Sequence, residues 1–124
     1  MMNQIVLLGR IVSTTPALEY GEEALVVTIA TPRNYKNDEG IYETDMFDIV
    51  LRGKNIVDNT MNYCKKGDLI GVKGRLEMFK YVRKEDGKKM RRTLIIGEKV
   101  SFLSSNSAPS TTEDPTEDLV ELGE

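Results

Sequence analysis

Residues 42–76, YETDMFDIVLRGKNIVDNTMNYCKKGDLIGVKGRL, hold the choice between architectures. Residues 43–51 alternate polar and apolar side chains before Gly53, the period of a strand with one covered face. Residues 54–66 change period, with Ile56, Val57, Met61 and Cys64 near helical spacing and Gly67 placed to end the helix. From residue 69 to residue 79 the strand pattern returns, interrupted by Gly71 and Gly74. Glycines inside a strand mark a bend or a close backbone approach, which a tightly coiled barrel requires. The block therefore predicts strand, helix, strand.

The same reading extends in both directions. Residues 3–12 are mostly apolar (Ile5, Val6, Leu7, Leu8, Ile11, Val12), which fits a first strand covered on both sides or strongly curled. Residues 24–31, ALVVTIAT, are rich in β-branched side chains and predict a second strand. Residues 34–40 are polar, contain Asn37, Asp38 and Gly40, and predict a projecting hairpin loop. Residues 82–89, VRKEDGKK, predict a second charged hairpin turning at Asp86 and Gly87, and residues 92–103 a fifth strand. The order β-β-β-α-β-β with long polar loops after strands two and four is the layout of an OB-fold, an all-β five-stranded barrel. An SH3-like barrel is the competitor. The helix between strands three and four favours the OB-fold, whose open end it plugs.

Composition narrows the chemistry. The chain has 124 residues, one cysteine and no histidine, so neither an internal disulfide nor the usual zinc sets can be assembled. Ser-His-Asp and Cys-His catalysis are excluded on the same ground. Asp45 and Asp48 are the nearest carboxylate pair for a metal-dependent nuclease, but three apart on a strand they face opposite sides. No metal, no cofactor and no enzymatic activity are expected. No apolar run approaches the roughly 20 residues of a membrane span, and the first residues lack a targeting pattern, so the expected location is the cytoplasm.

Net charge is -3, but its distribution matters more than its sum. Six of the 20 acids and none of the 17 bases fall in residues 104–124, leaving residues 1–103 at +3. The first 103 residues are expected to form one domain. The segment SSNSAPSTTEDPTEDLVELGE is too polar to offset the entropy of ordering and is expected to be a disordered acidic tail.

Three stretches together resemble the bacterial single-stranded DNA-binding protein family: NQIVLLGRIV (3–12), ATPRNYKNDEG (30–40) and the block at 42–76. The resemblance covers nearly all of residues 2–103. It implies a homotetramer with single-stranded DNA winding across the protomers, strand one pairing with a neighbour's strand one, in replication, recombination and repair. It also implies two stacking aromatics: Tyr35 in the first loop, flanked by Arg33 and Lys36, and Tyr81 at the end of strand four, beside Lys80 and Arg83. Phe79, on the same strand face as Tyr81, either extends this platform or belongs to the core.

The chain departs from the family where rings are expected and Met46 and Arg52 stand instead. A thioether can lie against a base and a guanidinium can stack on one, so both remain candidates. Phe47 is offset by one residue and faces the other side. Lys54, Lys65 and Lys66, with Lys73, Arg75, Lys84, Lys88, Lys89, Arg91 and Arg92, are candidates for the backbone path. Asp48 stands where the family is often polar or basic. The tail ends LVELGE, without the proline and phenylalanine tip through which the family recruits replication and repair proteins. Its acids remain able to compete with DNA, and Leu119, Val120 and Leu122 offer a different apolar handle. A primosome-type interaction protein on the same fold is the alternative reading, and stacking alone would not exclude RNA.

Overall fold

The computed structural model describes residues 1–105. Five strands, β1 (Ile5–Pro16), β2 (Leu25–Lys36), β3 (Tyr42–Leu51), β4 (Leu69–Val82) and β5 (Lys89–Ser104), close into a barrel in the order β1-β2-β3-β5-β4. Helix α1 (Lys54–Tyr63) lies between β3 and β4, as the OB-fold reading expects. All neighbouring strands are antiparallel except β3 and β5, joined through Ile49 opposite Ile95 and Val50 opposite Ile96. A parallel pair needs a crossover, which α1 and β4 supply.

Every strand outruns its apolar stretch. β1 continues past residue 12 to Pro16, through a register shift between Ile11 and Ser13. β2 reaches Lys36, so Arg33 and Tyr35 stand on a strand and the first loop shrinks to a tight turn around residues 37–40. β4 reaches Val82 and β5 starts at Lys89, which places Tyr81 on a hairpin arm opposite Met90. Ser104 is buried and pairs with Leu69, so the barrel ends at least one residue later than expected. The acidic tail lies outside the described residues from position 106 onward.

The helix also ends earlier than its spacing suggests. Cys64 is already extended (φ -124°, ψ 144°), and Gly67 does not cap α1. At φ +92°, Gly67 instead shapes the turn into β4, its N–H donating to the Ile11 carbonyl at 2.8 Å. This ties the turn to β1.

Inside the barrel, Ile11, Leu25, Val27, Ile29, Ile49, Leu51, Ile70 and Val72 form the core, with Phe47, Ile56, Val57 and Cys64 packed against it. Burying each of the large aliphatic side chains contributes about 1.5–3 kcal/mol. Gly74 and Gly97 sit opposite each other where β4 and β5 cross most tightly. A Cβ on Gly74 would fall on the Ile96 carbonyl, and one on Gly97 would lie 2.6 Å from Leu51. Gly71, expected to mark a similar approach, meets only the Leu103 and Leu8 side chains at 3.6 and 3.8 Å. It has room for a methyl group.

A second apolar cluster forms on the outer surface because alternation sends Val50 of β3 and Leu94 and Ile96 of β5 outward. Val50, Leu94 and Ile96 are covered there by Tyr20, Val26 and Phe79. Tyr20 arrives on a single 3-10 turn, Leu18–Tyr20, not anticipated from the sequence. The Ala17 N–H donates to the Ala24 carbonyl at 3.0 Å and closes the loop that carries it. On β1, Gly9 and Ile11 face inward while Val6 is 69% exposed, so within one chain this strand is covered on one side only.

Candidate nucleic-acid interface

Two hairpins and the outer face between them collect the candidate residues. On the β2–β3 hairpin, the Asn37 side-chain oxygen accepts the Glu39 and Ile41 N–H groups, both at 2.9 Å, and Gly40 takes φ +79°. This short, self-capped turn holds Tyr35 and Tyr42 outward, 59% and 55% exposed. The Arg33 guanidinium lies 5.9 Å from the Tyr35 ring centre and the Lys36 ammonium 5.6 Å from that of Tyr42. Each ring thus has a cation near it.

Arg33 is nevertheless not a free cation. It donates twice to Asp45, Nε and Nη2 each at 3.0 Å, and once to Glu43 at 2.6 Å. These bonds raise its pKa above the ordinary guanidinium value and hold the Asp45 carboxyl below the usual range. Arg52 is paired likewise, Nη2 donating to Glu77 at 2.6 Å, and Glu77 also accepts from Arg75 at 2.7 Å. The Arg52 bond is the leading cause of the lowered Glu77 pKa. Arg75 reaches Glu98 at 3.0 Å as well.

The β4–β5 hairpin repeats the pattern. Arg83 donates to Asp86 at 2.7 and 3.1 Å, which depresses the Asp86 carboxyl, and Gly87 closes the turn at φ +68°. Beneath this turn Tyr81 stacks on Phe79 with ring centres 6.0 Å apart and planes inclined by 21°. Lys80, Tyr81, Val82, Lys89, Met90 and Arg91 line a shallow hollow of about 410 Å³ beside it.

Between the hairpins, Met46 is 61% exposed and stands opposite Ala30 of β2. Asp48, on the same outer face, accepts the Thr28 hydroxyl at 2.6 Å. Asp45 and Asp48 thus point to opposite sides with separate partners, and among the described residues no cluster of acids, cysteines or histidines could hold a metal. Lys54 leaves the start of α1 and pairs with Asp58 at 3.6 Å. Lys65 and Lys66 leave from the α1–β4 turn that is anchored to β1, whereas the rings stand on β2, β3, β4 and the 3-10 turn.

Two residues gain a place that spacing had not given them, and Arg92, expected along the backbone path, gains ring neighbours. Tyr42 is the cross-strand partner of Lys36, Tyr20 covers Phe79 edge-on at 5.0 Å, and Arg92 is the register partner of Phe79. The signal for the last was the β4–β5 register, legible only once the turn at Gly87 is located.

The barrel, its two hairpins and the rings and cations they carry define an oligonucleotide-binding type of protein. Residues 2–103 match the Single-strand binding protein family, and the chain belongs to that family. It is 38% identical to Single-stranded DNA-binding protein 3 of Listeria innocua over 119 residues, covering 92% of this chain and 72% of that protein. To Single-stranded DNA-binding protein B of Bacillus subtilis it is 36% identical over 83% of this chain and 91% of the relative. The match to the Bacillus cereus protein spans 61% of that relative's length. Among solved structures, that of a Plasmodium falciparum SSB complex with ssDNA is similar, with TM-score 0.65 and 28% identity, covering 84% of this chain and 96% of the other.

Proposed function

We propose that this protein binds single-stranded DNA without reading its sequence, as a coat in replication, recombination and repair. The observation that carries the reading is a barrel of this family whose hairpins carry the exposed Tyr35 and Tyr42 and the half-buried Tyr81, each with a cation near its ring. Every base has a π-face, so stacking contributes roughly 1–3 kcal/mol per base regardless of identity. Arg33, Lys36, Lys80 and Arg83 flank the rings. Met46 and Arg52 line the path between the hairpins, and Lys54, Lys65 and Lys66 extend the positive surface for the phosphates.

The exposed apolar face of β1, with Val6 and Leu8, supports a homo-oligomer, which we assign as a tetramer. The acidic residues after 105 would compete with DNA for the same surface and offer replication or repair proteins a docking segment. The protein would act in the bacterial cytoplasm, on the nucleoid or on mobile-element DNA. Among the described residues no helix is long and apolar enough to cross a membrane.

The test is a tyrosine-fluorescence titration with oligo-dT, oligo-rU and duplex DNA at two salt concentrations. Quenching by oligo-dT, little response to duplex and a slope of about -0.7 per neutralised phosphate are expected. Absence of oligo-dT binding at low salt overturns the reading. Light scattering reads the oligomer, and a monomer would refute the tetramer.

A further inference from the structure

We infer that Arg92 is a base-stacking residue, with its guanidinium plane as the top layer of a platform built from Tyr20, Phe79 and Tyr81. The inference deepens the single-strand reading above by naming the group that receives the base where Met46 and Arg52 stand in place of rings.

The geometry separates Arg92 from other arginines of this surface. Arg33, Arg52, Arg75 and Arg83 each donate to a carboxylate at 3.0 Å or less. Arg92 has only a long contact to Glu19, at 3.7 Å. Its guanidinium is held by aromatic faces instead, 5.2 Å from the Tyr81 centre, 5.6 Å from Tyr20 and 5.8 Å from Phe79. The rings brace one another, with Tyr20 edge-on to Phe79 and Phe79 stacked on Tyr81. Phe79 and Tyr81 are too close for a base to enter between them. The exposed layer is what a base can meet.

Arg92 is that layer. Its side chain remains 47% exposed while resting on three rings, so part of the guanidinium faces solvent. A guanidinium is planar and more weakly hydrated than an ammonium, and stacks readily on π-systems. Three rings fix its orientation before any ligand arrives, so less side-chain entropy remains to be lost on binding. Strand alternation puts Met46 on the same outer face, where β3 runs parallel to β5. The thioether and the guanidinium thus belong to one outer face.

A stacking role differs measurably from phosphate neutralisation. Arg92→Lys keeps the charge and removes the plane. We compare wild type, Arg92→Lys and Arg92→Ala on oligo-dT and on an abasic oligodeoxynucleotide of equal length, following binding over a salt series and checking the fold by thermal melting. Arg92→Lys is expected to weaken oligo-dT binding roughly tenfold, the loss of about one stacked base, with an unchanged salt slope and no loss on the abasic strand. Arg92→Ala adds a loss of slope on both strands. Arg92→Lys binding oligo-dT like wild type, or losing equally on both strands, overturns the inference and leaves the single-strand function standing. Failure of wild type itself to bind oligo-dT overturns both.

Discussion

Glu77→Gln should tighten single-strand binding and steepen its dependence on salt. Glu77 is the hinge of the ion-pair chain on the outer face, accepting from Arg52 at 2.6 Å and Arg75 at 2.7 Å. Its two partners are a little over one third exposed, so a phosphate can reach both. The glutamine is nearly isosteric and keeps one oxygen to accept from Arg52, which preserves the arrangement while removing one negative charge. Arg75 retains Glu98; Arg52 then has no full carboxylate and is available for one additional phosphate. One added contact steepens the log-affinity slope by about 0.7, which corresponds to roughly eightfold tighter binding at about 50 mM salt and roughly threefold at about 200 mM. The assay is the oligo-dT titration across a salt series for both proteins, with melting curves to establish that the barrel is unchanged. Identical slopes for variant and wild type would refute the reasoning, because Arg52 would then lie off the DNA path.

The pairing also implies a pH effect. Glu77, Asp45 and Asp86 all have pKa values held below normal by their arginines, so the ion pairs persist above the unfolded-state pKa and are lost as pH falls through the depressed folded value. Binding should therefore strengthen, and thermal stability fall, only at pH below the ordinary carboxylate range, as fluorescence and melting at matched ionic strength would show. Gly74→Ala should cost roughly 3 kcal/mol or more, because its Cβ meets the Ile96 carbonyl, while Gly71→Ala should be neutral or stabilising by about 0.5–1 kcal/mol in urea unfolding. Cys64 packs against the core, and burial, followed by the charge of Asp68, raises its thiol pKa. It should therefore react with a thiol reagent at pH 8 more slowly than a free cysteine does, measured by absorbance of the released chromophore. Truncation after Ser105 leaves the buried Ser104 in place and should tighten oligo-dT binding if the acidic residues compete; unchanged affinity would exclude competition.

The fold was legible because its deciding signals are local. A period change at Gly53, a return to strand at Leu69 and two turn-forming stretches are enough to order five strands and one helix. What escaped was the length of the strands. Their ends, at Arg33 to Lys36, Lys80 to Val82 and Lys89 to Arg91, mix charged residues with isolated Tyr35, Tyr81, Val82 and Met90, which leaves no apolar period long enough to read. The 3-10 turn bearing Tyr20 is three residues long and has no period at all. For the candidate residues, the ion-pair partners were not legible. Arg33 and Asp45 lie 12 residues apart and Arg52 and Glu77 25 apart, so their pairing depends on register.

Those pairs change what the arginines do. An unpaired basic groove would attract any polyanion, duplex included, through charge alone, whereas here a phosphate must displace a carboxylate that already makes one to two short bonds. Each such exchange returns less free energy than filling an empty site, so the surface loses generic affinity. The rings lose nothing by it, since stacking does not depend on the charge of the neighbouring arginine. Duplex DNA presents phosphates but keeps its bases stacked on each other, and a single strand presents both. On the proposed DNA path, carboxylate pairing would weaken the contact both ligands share and preserve the one that only the single strand can make, which would make these acids a source of selectivity.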